Sequence, residues 1–238
     1  MKTDTSRVTE RFMFKSNSGF AALPEPVRND FLNGIVFKQF KKRQNIFTEG
    51  TFPSGIYFIK RGKVKKFKTL NGGKEQIIYL CNEGELLGYA ALLSEEPYPD
   101  SATALTDASI GFMPKEKLNE LLETHPALSK MLMKNLSHEF GVLVNFIAAF
   151  TQKSVRERVA LTLLILHEKF KENLSENDEV EIELSREDCA NIVGTAVETL
   201  VRLLHDFKDE NLIITRGRKI IITNKTQLVE IAHVADTF

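Results

Sequence analysis

Cysteine is nearly absent: the 238 residues hold two, Cys81 and Cys189. A disulfide scaffold is thereby excluded, and so is an iron–sulfur cluster within one chain, which takes four thiolates. Both thiols read most simply as small buried hydrophobes. Histidine is sparse as well, with none before His125, so the N-terminal strands cannot supply the imidazoles of a cupin-type metal centre. Fully apolar runs are short, such as residues 89–93 and 146–150, and the first seven residues carry no apolar signal core. These absences argue for a soluble, cytoplasmic chain with no membrane partner. No nucleophile–base–orienter spacing and no phosphate-gripping loop occurs, so the chain is read as a non-enzyme with no catalytic and no metal-ligating residues. An excess of one charge is missing too, since Lys+Arg and Asp+Glu both number 32.

That balance hides patches. Residues 38–68 hold ten basic side chains against one acid, Glu49. This stretch reads as a solvated face of the fold, with an acidic partner or nucleic acid as the alternative. Residues 172–188 hold eight acids against Arg186, whereas residues 211–225 hold Arg216, Arg218, Lys219 and Lys225 with no acid.

With 42% apolar residues the chain has ample material for a core, and it divides into an α+β arrangement of three stretches. In residues 1–126, seven of the 13 glycines fall between Gly50 and Gly88. They punctuate short β-prone runs, Gly55-Ile56-Tyr57-Phe58-Ile59 and Gln76-Ile77-Ile78-Tyr79-Leu80, and Asn71-Gly72 is a hairpin signal. This reads as a jelly-roll-like β-roll. Residues 127–152 read as one long helix with an apolar row, Leu132, Leu136, Phe140, Leu143, Ile147 and Phe150. The row fits either a homodimer seam or a cover for the β-roll. In residues 153–238, Val159, Leu163, Leu164 and Leu166 define one helix face. Ser185 and Asp188 look like a capping box, followed by helix, glycine turn and helix. Ala190 lets the helices approach, Gly194 permits the turn, and Ile192, Val193, Leu200 and Leu203 supply buried faces. Leu212-Ile213-Ile214 and Lys219-Ile220-Ile221-Ile222 around Arg216-Gly217-Arg218 read as a hairpin wing with a basic tip.

In a helix-turn-helix the second helix enters the major groove of DNA. On a helix starting near Ala196, residues Val197, Glu198, Val201 and Arg202 fall on neighbouring turns. Arginine bonds guanine in a bidentate manner, glutamate accepts from the cytosine amino group, and valine packs on a thymine methyl. The alternative is that Glu198 and Arg202 form an ordinary i, i+4 surface ion pair. Residues 172–183 are expected to face away from DNA, with Arg186, Arg202, Arg216, Arg218 and Lys219 forming the near face.

The order β-roll, long helix, winged helix-turn-helix resembles the CRP/FNR family of bacterial transcription regulators across nearly the whole chain. The likeness is carried by Ile46-Phe47-Thr48-Glu49-Gly50, Tyr57-Phe58-Ile59-Lys60-Arg61-Gly62, Gly84-Glu85-Leu86-Leu87-Gly88 and, most specifically, the turn segment Val193-Gly194-Thr195-Ala196-Val197-Glu198-Thr199-Leu200-Val201-Arg202. The valine followed by glutamate is nearer to the FNR branch than to the catabolite-activator branch, although FNR-type helices have serine where Val201 stands. The resemblance implies a homodimer on double-stranded DNA, reading inverted half-sites with a TGA-like core, with RNA polymerase as a further partner. It adds Thr195 and Thr199 to the DNA-facing residues.

The resemblance also implies an effector pocket near Leu87, Gly88, Tyr89, Ala90, Asp100, Ser101, Ala102, Leu143 and Val144. Relatives that bind cyclic nucleotides carry a glutamate where Tyr89 stands and an arginine near Pro99 or Asp100. Residues 88–114 contain no Lys or Arg, and a buried phosphate without a cation is costly. This argues against cAMP as effector. Haem needs only an apolar pocket and an axial ligand, for which His125 and His138 are the candidates, and a sensor with a non-standard pocket is the alternative reading.

Overall fold

The computed structural model describes residues 9–14, 16–171, 174 and 178–233. The chain forms two compact units, Phe14–Phe140 and the residues up to Met13 together with those from Gly141 onward. The chain is α+β, in the order β-roll, long helix and helix-turn-helix that the resemblance implies.

The first unit opens with α1 (Ser16–Ala21) and α2 (Glu25–Asn33). A proline at the start presets the φ of α2, which buries Val27 and Phe31. Eight strands follow: β1 (Val36–Phe40), β2 (Asn45–Phe47), β3 (Gly55–Arg61), β4 (Val64–Thr69), β5 (Glu75–Cys81), β6 (Leu86–Leu87), β7 (Ser101–Ala104) and β8 (Ala108–Pro114). They form two four-stranded antiparallel sheets, ordered β1-β8-β3-β6 and β2-β7-β4-β5. The hairpin signal at Asn71-Gly72 lies in the turn joining β4 to β5, where Gly72 and Gly73 both take positive φ. Gly55 is required for close approach, because a Cβ there would lie 2.1 Å from the Met113 carbonyl oxygen. The core gathers Phe20, Phe31 and Phe58, with the Phe20 ring centroid 5.1 Å from each of the other two, around Ile56, Tyr89 and Met113. Two more helices, α3 (Tyr89–Ser94) and α4 (Lys115–Thr124), cap the sheets.

Helix α5 (Pro126–Gln152) spans the boundary between the units. Its apolar row divides: the part expected in a dimer seam is corrected for Leu132 and Leu136, which take the other reading and cover the β-roll. Leu132 is buried in the β-roll core beside Leu128 and Met131, and Leu136 packs against the same core. Periodicity reports only that residues share a face, so it could not tell turns covered by the chain's own sheet from turns left bare. Farther along, Phe140 (70% exposed), Leu143, Ile147 (63%) and Phe150 are uncovered, joined by Met133 and Val144.

In the second unit, residues 9–13 pack on the later half of α5. Phe12 meets Phe146 edge-on at 5.3 Å, and Asn145 donates to the Arg11 carbonyl at 2.9 Å. Helix α6 (Val155–Lys171) was expected to show one apolar face, yet it is buried almost all round from Val159 to His167. It is the central rod, touched by α7 (Arg186–Val193), α8 (Val197–Asp209), α9 (Lys225–Ile231) and β9 (Ile182–Glu183). The wing strands β10 (Ile213–Arg216) and β11 (Lys219–Ile222) pair antiparallel, and β9 adds to the outer edge of β11. No helix among the described residues is long and apolar enough to cross a membrane.

Candidate functional site

The turn between α7 and α8 is built as its sequence dictates. Ser185 Oγ accepts from the Asp188 backbone N–H at 2.9 Å, starting α7. Gly194 ends it at φ 70° and ψ 48°, a left-handed conformation that glycine reaches without steric cost. The N–H groups of Gly194 and Thr195 both donate to the Ala190 carbonyl, at 2.9 and 3.1 Å. Ala190 is fully buried, so the helices close on each other there. Helix α8 sinks Leu200, Leu203, Leu204 and Phe207 into the unit. That fixes the opposite face, where Val197, Glu198, Val201 and Arg202 are exposed and Thr195 and Thr199 are half-buried. Among the described residues neither Glu198 nor Arg202 enters an ion pair, so the ordinary surface-pair alternative is not formed. The face therefore presents a free guanidinium, a free carboxylate and two apolar groups, the donor, acceptor and methyl-binding set that reads base edges.

The structure reveals a strut that the sequence did not signal. From α6, Arg158 donates through Nε to the Val193 carbonyl at 3.1 Å and through Nη2 to that of Gly194 at 3.4 Å. Its Nη1 reaches the Lys153 carbonyl at 3.0 Å, and the guanidinium lies 5.7 Å from the Phe150 ring centroid. One side chain thus satisfies the open carbonyl end of α7 and ties the turn to the end of α5. Replacing Arg158 with alanine is expected to lower the stability of this unit by about 2 kcal/mol, in line with the loss of hydrogen bonds from a charged donor. Arg158→Lys should recover less than half, since an ammonium lacks the planar fork. Urea unfolding followed by circular dichroism measures both, and equal midpoints for wild type and alanine variant would refute the strut.

Two of the wing's three cations, Arg216 and Lys219, are engaged. Arg186 donates to the Arg218 and Gly217 carbonyls at 3.2 and 3.3 Å, clasping the wing tip to α7. Arg216 pairs with Glu179, and Lys219 with Glu181. The expectation that residues 172–183 turn away is corrected for these acids, because β9 pairs with β11 and carries them alongside the wing. Glu172 and Glu176 of that stretch lie outside the described residues. The Arg218 side chain makes no ion pair among the described residues.

The first unit holds a cavity of about 30 Å3 lined by Phe14, Lys66, Gly88, Tyr89, Asp100 and Glu139, among others. Gly88, Tyr89, Ala90 and Asp100 of the expected pocket line it. Leu87, Ser101 and Ala102 are instead buried in the sheets, and Leu143 and Val144 are exposed on the part of α5 that belongs to the other unit. The absence of a cation is also corrected. Lys66, on β4 opposite Ala102 of β7, stands 3.1 Å from Asp100. Burial opposes its charge, but Asp100 and the neighbouring acids outweigh this and raise the lysine's pKa. Tyr89 donates to Glu139 at 2.5 Å, and burial followed by the Glu139 charge pushes the phenol's pKa up. Phe14 stacks on Tyr79 at 3.7 Å.

Elsewhere several lysines of the basic stretch are internally paired: Lys41 with Asp107, Lys65 with Glu75 and Lys68 with Glu49. His125 is held by Asp30 at 3.0 Å. Cys81 and Cys189 are both buried, and burial pushes the Cys189 thiol up to about 12, which leaves it inert as a nucleophile.

Two family models match the chain, the cyclic nucleotide-binding domain over residues 37–125 and the Crp-like helix-turn-helix domain over residues 157–231. It is 30% identical over 205 residues to the transcriptional activator protein anr of Pseudomonas aeruginosa, covering 85% of this chain and 84% of that protein. It is 29% identical over 198 residues to the fumarate and nitrate reduction regulatory protein of Vibrio cholerae, covering 83% and 79%. Among solved structures, the c-di-GMP responsive global regulator CLP of Xanthomonas campestris matches with a TM-score of 0.74 at 20% identity, over 84% of this chain and all of that one. FixK2 of Bradyrhizobium japonicum matches with a TM-score of 0.72 at 21% identity, over 83% and 96%.

Proposed function

From the premise that the chain belongs to the CRP/FNR family of transcription regulators, whose members here are regulators and not enzymes, we propose that it acts as a homodimer on inverted-repeat DNA and reads each half-site with the Val197–Arg202 face of α8. The observation that carries this reading is the pairing of a deeply buried inner face, Leu200, Leu203, Leu204 and Phe207, with an outer face whose Glu198 and Arg202 are free. Thr195 and Thr199 flank that face, Arg218 offers a phosphate contact, and Arg186 holds the wing tip in place. The bare residues of α5 supply the two-fold seam, which sets the reading helices one DNA turn apart, ~34 Å. RNA polymerase is the further partner that a transcription regulator of this build addresses. Titrating an end-labelled inverted repeat with a TGA-like core against a scrambled duplex tests the reading. A specific complex of two chains per duplex is expected, and equal affinity for both duplexes would defeat it.

The regulator in this reading does not respond to cAMP. Lys66 is committed to Asp100, and Tyr89 occupies the place of the ribose ligand of cyclic-nucleotide-binding relatives. Calorimetric titration with cAMP is expected to release no stoichiometric heat at micromolar protein. A one-to-one isotherm in the micromolar range would overturn this.

A further inference from the structure

The acidic segment beside the wing has a regular build. Val180, Ile182 and Leu184 are buried, so Glu179, Glu181 and Glu183 alternate with them onto the other face. Register pairs Lys219 with Glu183 across the β9–β11 ladder. Glu179 takes both Nη atoms of Arg216, Glu181 stands 3.9 Å from the same guanidinium, and Glu181 also bonds Lys219. All four side chains are at least one-third exposed. Two of the wing's three cations therefore meet carboxylates of their own chain at the surface where phosphates would arrive, while Arg218 stays free.

We infer that Glu179 and Glu181 are specificity-determining residues, which hold Arg216 and Lys219 out of sequence-independent phosphate contact so that α8 decides where the protein binds. Non-specific binding consists almost wholly of phosphate contacts, each adding about 0.9 to the slope of log affinity against log salt. Withholding two cations weakens that mode most. A specific complex, anchored through base edges, depends less on the wing. Exposed ion pairs are individually weak, so the restraint is graded. The Glu181 carboxylate raises the pKa of Lys219, so the ammonium stays charged for either partner.

This inference rests on the reading that the wing meets DNA, and the test separates the two. Anisotropy titrations of the full chain on a scrambled duplex, run across a salt series, compare wild type with E179Q/E181Q, with R218Q and with E179Q/E181Q/R216Q/K219Q. For E179Q/E181Q the salt slope should steepen by up to roughly 1.8 per chain, about 3.6 for the two-chain complex, and non-specific affinity at 0.1 M salt should rise about tenfold or more. The ratio of specific to non-specific affinity should fall. Misfolding cannot produce such a gain. In the quadruple variant, whose net charge equals that of the wild type, the gain should vanish; if it persists, the acids act by repelling DNA directly and not through Arg216 and Lys219, and the inference is wrong. If R218Q flattens the slope but E179Q/E181Q matches wild type, the inference fails while the DNA-facing wing stands. If R218Q changes nothing, the wing does not reach DNA and both fall.

Discussion

Phe140→Glu together with Ile147→Glu is expected to convert the regulator to monomers and to cut its affinity for an inverted-repeat site by roughly 10²–10⁴-fold, the advantage of joining two binding modules. The two side chains are 70% and 63% exposed. With Val144 they follow steps of four and three residues along α5, the spacing of a coiled-coil seam. In a two-fold pair each residue counts twice, and burying each such side chain stabilises by about 1.5–3 kcal/mol. Two glutamates per chain would place four carboxylates in that seam, where desolvation opposes charge. Because these positions face outward within the chain, its own cores should be undisturbed, and far-ultraviolet circular dichroism should match wild type. Sedimentation velocity gives the mass and anisotropy the affinity. A dimer that survives the double substitution would place the seam elsewhere.

Arg202→Ala should lose roughly 1–3 kcal/mol per half-site through the missing bidentate contact. Two half-sites make the loss on an operator about 2–6 kcal/mol, a factor between roughly 30 and 10⁴ at the scale of about 1.4 kcal/mol per decade. Its effect on a scrambled duplex should be much smaller, the loss of one phosphate-range charge per chain. Arg202→Lys should restore the charge but not the discrimination, since an ammonium cannot span two acceptors. Arg202 is exposed and unpaired among the described residues, so neither change should alter the melting temperature appreciably. Competitive gel shifts with single-base variants of the half-site locate the base concerned. An unchanged ratio of specific to non-specific affinity would remove Arg202 from the reading face.

Much of the fold was legible because it is encoded locally. The capping box at Ser185, the left-handed Gly194 and the alternation of α8 are properties of a few consecutive residues, and each stands in the structure as its sequence implies. The exposed face follows from them, since burying Leu200 and Leu203 leaves Arg202 no direction but outward. Charge arithmetic was less informative. The basic stretch 38–68 read as a solvated face, with a partner site as the alternative, and the count alone did not show that several of its lysines find acids brought from elsewhere, as Lys41 finds Asp107 and Lys65 finds Glu75. A signal for the acids beside the wing was present: Glu179, Glu181 and Glu183 recur at a period of two among apolar residues, the mark of a strand with one charged face.

By itself, then, the sequence determined the kinds of elements, their order, the family they make and the side of α8 that faces out, because backbone propensity, capping and hydrophobic period act over a handful of neighbouring residues. Only the tertiary structure decided which turns of α5 are covered, that Lys66 meets Asp100, that Arg158 braces the turn and that Glu179 and Glu181 hold the wing. Those are contacts between residues some 34 to 38 positions apart, or between a helix and a sheet. Ionic and hydrogen-bond partners are chosen by distance in space, and nothing in a linear pattern carries that distance until the strands have paired.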